Sequence, residues 1–149
     1  MGNIAQALTT IVDQLQVAIG TDVEVKEHPG RFTEDELGKI LIKRKAVRIA
    51  IEGFPKIDVQ GNGLRLAQVR FNAFVICADL KGEDRHKVAL EITEQLAGLI
   101  TYATWDDPVK FASVSPATVA IENLYSGDLS NGKGIAWWAI SWTQAIRNH

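Results

Sequence analysis

Cysteine is almost missing from this chain: its 149 residues hold one, Cys77. A single thiol excludes an internal disulfide and any zinc cluster built on cysteines. Cys77 lies in the apolar run Phe74-Val75-Ile76-Cys77-Ala78, where a free cysteine behaves as a small buried hydrophobe. An excess of one charge is lacking too. The formal net charge is -2, which gives no electrostatic reason to bind nucleic acid or an anionic membrane. The local basic run Lys43-Arg44-Lys45, with Arg48 close by, precedes an alternating apolar segment and reads as the solvated start of a strand. No apolar run nears the roughly 18 residues of a membrane helix. No basic start leads into an apolar core as a secretion signal would, so an intracellular place of synthesis is expected. The remaining composition, 46% hydrophobic and 23% charged, suits one domain over residues 1–149 with a sizeable core.

Periodicity supplies the elements. Ile4, Leu8, Ile11, Val12, Leu15 and Ile19 recur at steps of three and four and predict a helix that Gly20 stops. Val23-Glu24-Val25 predicts a short strand before the turn signal His28-Pro29-Gly30. Thr33 and Glu36 have the spacing of a capping box, so a short helix is expected to about Leu41. The period then becomes two: Val47, Ile49 and Ile51 predict a strand that Gly53 and Pro55 end.

A turn at Gly61-Asn62-Gly63 leads into a long strand over about 64–79. Leu64 and Leu66 are out of phase there with Val69, Phe71, Ala73, Val75 and Cys77, which a β-bulge near Ala67-Gln68 would reconcile. Val88, Ile92, Leu96, Leu99 and Ile100 mark the clearest helix, 84–100. Residues 105–116 read as irregular, and two strands, about 118–125 and 135–143, close the chain. Runs of adjacent strands favour hairpins. The expected fold is α+β: a mostly antiparallel mixed sheet of four to five strands, two long helices packed on it, a short helix and a C-terminal β-hairpin.

The segment Tyr125-Ser126-Gly127-Asp128-Leu129-Ser130-Asn131-Gly132-Lys133-Gly134 nearly matches the phosphate-binding pattern G-x-x-x-x-G-K-[ST]. That loop works when a helix starts directly behind the phosphate. Here Trp138, Ile140 and Trp142 come next at strand period, and Gly134 stands where the magnesium-holding hydroxyl belongs. The segment is therefore read as a hairpin connection with Asn131-Gly132 as its turn. Other chemistry is equally thin. His28, His86 and His149 form no metal-ligand pair, and Ser113, Ser115, Ser126 and Ser130 lack a nucleophile elbow. Asp106-Asp107 before a proline reads as a solvated turn. No catalytic residue, cofactor site or metal site is expected.

Three of the four tryptophans are Trp137, Trp138 and Trp142. Adjacent residues of a strand point to opposite faces, so Trp137, with Ile135 and Ala139, needs a cover separate from the helices. Other parts of the chain are the ordinary source of such a cover, and a partner subunit is the alternative.

The N-terminal helix, "PGRFTEDELGKILIKRKAVRIAIEG", "VRFNAFVICADL", "DRHKVALEITEQLAGLI" and "IENLYSGDLSNGKGIAWWAISWTQ" together resemble the small tail proteins of Mu-like phages and prophages. The layout is similar to that of phage tail terminator proteins. The resemblance implies a structural protein rather than an enzyme: a ring, typically a hexamer, that caps the tail tube, stops polymerisation and joins the tail to the head-neck. Its implied partners are other copies of itself, tail tube and sheath proteins, and neck or head-completion proteins. No membrane and no specific nucleic acid are implied, although the genome passes through such a ring. The implied place is the head-proximal end of the virion tail, after assembly in the host cytoplasm.

By the same analogy, loops 105–116 and 126–133 contact neighbours and order on assembly. The candidate interface residues are Trp105, Asp106, Asp107, Lys133, Ile135 and Trp137. The competing readings are a neck or head-completion adaptor, and a small α+β enzyme or ligand-binding domain using His28 or His86. If the glycine-rich segment is only a turn, Lys133→Ala leaves the fold intact and isothermal titration finds no ATP binding in either protein. Lys133-dependent affinity for ATP contradicts that reading.

Overall fold

The two stripes of apolar residues become α1, Asn3–Ile19, and α2, Arg85–Ile100. The side chains buried along α1 are Ala7, Ile11, Val12 and Leu15; along α2 they include Ala89, Ile92, Leu96 and Ile100. Each set occupies one face, as a period of 3.6 residues requires. This computed structural model describes residues 3–33, 36, 39, 45–59, 65–78, 85–124 and 135–148. Gly20 ends α1 with φ 92°, a value a side chain would oppose, and its N–H donates to the Gln16 carbonyl at 3.1 Å. Gln16 also ties the helix end to residues 20–25: its amide donates to the carbonyls of Gly20 and Val23 and accepts from the Val25 N–H.

The strands are β1 Glu24–Glu27, β2 Lys45–Val59, β3 Arg65–Ala78, β4 Ala120–Asn123 and β5 Ile135–Asn148. They form one five-stranded sheet in the order β1-β2-β3-β5-β4. Among the described residues only the β1–β2 pairing is parallel. The fold is therefore α+β, with a mixed, mostly antiparallel sheet and a C-terminal antiparallel strand pair. Both helices lie on one face, where they bury Val47 and Ile49 of β2, Val69 to Cys77 at alternate positions of β3, and Ile140 and Trp142 of β5. Cys77 is inside this core.

Three expectations change. First, β2 does not stop at Gly53 and Pro55 but runs on to Val59, and β5 runs past Thr143 to Asn148. Second, the bulge expected in β3 at Ala67-Gln68 is absent there. β3 pairs with β5 without a break from Arg65↔Asn148 to Ala78↔Ile135. The irregularities are in β2, where the register shifts between Ile51↔Phe71 and Gly53↔Arg70 and again before Lys56↔Gln68. A bulge in central β3 would break a ladder on both sides, whereas β2 carries Gly53 and Pro55 and has β1 only as far as Ile49. Leu66 is simply on the face opposite Val69 and Phe71.

Third, Arg48 is not solvated. It is buried, its guanidinium meeting the Glu24 carboxylate at 2.5 Å and the carbonyls of Glu24 and Val47 at 3.0 and 3.1 Å. Such pairing is what makes a buried guanidinium tolerable. The expected short helix lies largely outside the described residues. Its cap is visible, with the Glu36 N–H donating to the Thr33 hydroxyl at 3.1 Å.

Residues 101–116 are irregular but fixed. Tyr102 N–H donates to the Val114 carbonyl, Ala112 N–H to that of Ala145, and Arg147 N–H to that of Lys110. Phe111 bridges Ile146, so this segment borders β5 beyond the reach of β4. Inside it, the buried Gln144 amide donates to the carbonyls of Ala103 and Ala112 at 3.0 and 2.8 Å and accepts from the Trp105 indole at 2.7 Å. Replacing Gln144 with Ala strands the buried Trp105 indole donor and removes the side-chain donor to the Ala112 carbonyl, while the Ala103 carbonyl keeps the Val114 N–H. The expected loss is about 3 kcal/mol of folding free energy, measured by urea denaturation. A loss within ~0.5 kcal/mol, the range of a neutral surface change, contradicts this role.

Candidate functional site

The sheet's other face decides what Trp137 does. Even positions of β2 and β3 and odd positions of β5 point away from the helices, which places Ala46, Arg48, Phe74, Ile76, Trp137 and Ala139 together. The first residues after β1, in the connection to parallel β2, lie over this face. Gly30, at φ 108°, lies close to Ala50, and Phe32 meets the rings of Phe74 and Trp137 edge-on at 5.1 and 5.5 Å. Ala46 and Ile76 are buried in the resulting cluster. The cover for Trp137 thus comes from the same chain, and the ring is half-buried. Its indole N–H is buried and has no hydrogen-bond partner among the described residues. Ile135 sits at the register position opposite Ala78, at the end of the same strand.

His28 holds this cover in place. Its ring stacks on Phe32 with centroids 3.9 Å apart and planes 8° from parallel. The Gly30 N–H donates to Nδ1 at 2.9 Å, so in that geometry the ring proton is on Nε2, which faces the Glu36 carboxylate at 2.6 Å. Both ring nitrogens are engaged within the chain, leaving neither placed to take a proton from a substrate or to ligate a metal. His86 is exposed on α2, outside this cluster. Among the described residues, no group of three or more His, Cys, Asp or Glu is placed to hold a metal ion. None of the helices described is long and apolar enough to cross a membrane.

The other expected interface residues separate. Trp105 is buried in the chain's own core beside Trp142 and Gln144 and does not offer its ring to a neighbour. Trp105 and Asp106 have φ 52° and 63° and are the central pair of a turn closed by Asp107 N–H to the Thr104 carbonyl. Asp106 is exposed; Asp107 is half-buried, its carboxylate accepting from the Lys110 N–H. Lys133 and loop 126–133 lie outside the described residues. The loop 105–116 that the resemblance expects to order on assembly is already hydrogen-bonded to β5 in the single chain.

No protein-family model matches the chain, and no curated sequence matches it. Function therefore has to be read from the chain's own surface. A cleft of about 500 Å³ lies between the end of α1 and β1 and is lined by Gln16, Asp22, Glu24 and Lys45 among others. Its polar groups are occupied: Lys45 pairs with Asp22 at 2.9 Å, Glu24 with Arg48, and Gln16 with backbone. More telling is the outer stretch of β2, which no sequence signal singled out because the strand was expected to end earlier. Phe54, Ile57 and Val59 there are 49%, 59% and 68% exposed. The alternation Lys56-Ile57-Asp58-Val59 was the available clue.

Removing the cover tests the aromatic cluster. Phe32→Ala is expected to cost about 2 kcal/mol, as for a partly buried large-to-small change. It should also increase acrylamide quenching of tryptophan fluorescence, an increase that vanishes in a Trp137→Phe background. Quenching unchanged by Phe32→Ala means that this ring does not shield Trp137.

Proposed function

We propose that this chain is a structural phage tail protein, a tail terminator or completion protein. Copies of it form a ring that caps the tail tube, ends polymerisation and presents a surface to the head-neck. The observation that carries the reading is the apolar exposure along β2: Phe54, Ile57 and Val59 sit on a strand whose outer side has no described partner strand beyond Ile49. An unpaired strand bearing large apolar side chains is a liability in a free monomer and an asset in an assembly. The ring resemblance in the sequence asks for such a surface. Of the two histidines an enzyme reading would use, His28 has both nitrogens committed to holding Phe32 over the sheet, and His86 is exposed on α2 away from it.

A ring contact is heterologous, so each subunit needs two unlike patches. Native mass spectrometry of the purified chain, alone and with purified tail tubes, tests the proposal. The expected result is a closed oligomer, a hexamer by the resemblance, seen by electron microscopy as a ring at the end of the tube. A chain that remains monomeric at high concentration and leaves tubes uncapped contradicts it.

A further inference from the structure

The cover over Trp137 is joined to the sheet through one imidazole. The backbone of His28 is fixed, its N–H donating to the Ile49 carbonyl of β2 at 2.9 Å. Its side chain is 7% exposed and meets the residues that follow at three points: the Gly30 N–H, the Phe32 ring and the Glu36 carboxylate. The first of these contacts fixes the state of the ring. The Gly30 N–H donates to Nδ1 at 2.9 Å, so Nδ1 presents a lone pair and the single ring proton is on Nε2, towards Glu36 at 2.6 Å. A second proton can enter only at Nδ1. There it turns the acceptor into a donor and sets it against the N–H of Gly30. Relieving that conflict moves either residues 29–32 or the ring, and the ring carries Phe32 with it.

We propose that the His28 clasp is an acid-opened latch. A proton on Nδ1 releases residues 29–33 and uncovers Trp137, Phe74 and Ile76, while the sheet and the two helices stay folded. Glu36 does not reverse the direction. Nε2–H serves its carboxylate whether or not Nδ1 is protonated, and at 42% exposed its added attraction for a charged ring is weakened by water. The other charged groups on the neighbouring strands have partners of their own: Glu24 with Lys26 and Arg48, Glu27 with Thr9, Glu52 with Asn72. Arg31 and Lys39, and Arg70 on β3, are exposed, and β5 carries no charge from Ile135 to Ser141. The closed cover also bears a cost that opening relieves. The Trp137 indole N–H is buried with no partner among the described residues, and water that reaches it supplies one. The closed form thus holds a neutral ring and the open form accepts the extra proton, so acid favours opening. The latch is a property of the single chain and is independent of the ring proposal.

Two readings on the purified chain between about pH 8 and about pH 5, the range over which a histidine changes charge, test the latch. NMR spectra of the imidazole nitrogens show which of them carries the proton, with His28 assigned by its loss in His28→Gln. At the alkaline end the expected state is Nε2–H alone. Acrylamide quenching due to Trp137 is taken as the difference between wild type and Trp137→Phe. It should increase at least about twofold on acidification, as for a local opening. The midpoint should be that of proton uptake by His28, with far-UV circular dichroism unchanged. In the wild-type chain alone, the Gly30 amide proton should move upfield at the same midpoint as its hydrogen bond is lost. His28→Gln, neutral throughout, should show no pH-dependent step, whatever its level of quenching. A step that persists in His28→Gln assigns the trigger to a carboxylate and overturns the proposal. So does a doubly protonated His28 at the alkaline end, or a Gly30 amide and Trp137 quenching that stay constant while His28 takes up its proton. Quenching that rises only with loss of circular dichroism is unfolding of the whole chain and overturns it as well.

Discussion

The unbroken antiparallel ladder between β3 and β5 is the constraint on which the other features depend. Fourteen residues of β3 face fourteen of β5 without a register shift, so the parity of every side chain is set along the whole length of both strands. Parity sends Phe71, Trp142 and Ile140 under the helices and Phe74, Ile76 and Trp137 to the other side. It also makes the sheet longer than the helices can cover. One face therefore needs a second cover, and one end of the sheet extends beyond the core.

Topology answers the first need. β1 and β2 are parallel, and parallel neighbours require a crossover. The helices occupy one face, and the described start of this crossover brings Phe32 onto Phe74 and Trp137 on the other. His28 serves that packing: stacked on Phe32, hydrogen-bonded by Gly30 and paired with Glu36, it joins the two ends of the cover. A histidine beside a glutamate at 2.6 Å would suggest acid–base chemistry in isolation. With both nitrogens engaged and the ring lying against phenylalanine, the arrangement is a clasp.

The second consequence is handled unequally at the two edges. Beyond β4, segment 108–112 closes against β5, and the Gln144 amide gathers Trp105 and two carbonyls beneath it. On the β2 side the described chain supplies no such closure, and Phe54, Ile57 and Val59 stay open to solvent. The asymmetry agrees with a protein whose surface is finished by neighbours, as the proposed tail role requires.

Local pattern determined most of the elements. The three-and-four spacing in α1 and α2, the alternation through Val47, Ile49 and Ile51, and the opposite facing of Trp137 and Trp138 all arise from backbone geometry that each residue carries with it. The glycine at position 20 is legible for the same reason, since only its own φ is at issue. What could not be read were properties fixed by distant residues. Pro55 reads locally as a stop, yet β2 continues because an edge strand tolerates a missing donor. Trp105 and Arg48 read as surface residues until Gln144 and Glu24, far along the chain, provide their partners. The candidate interface residues, chosen for exposure and by resemblance, separated for this reason: burial is a property of the pair, not of the residue. Sequence determined which residues share a face. Only the tertiary structure decided which faces the chain covers itself and which it leaves exposed, because that depends on where residues 28–33 and the loop after α2 come to rest.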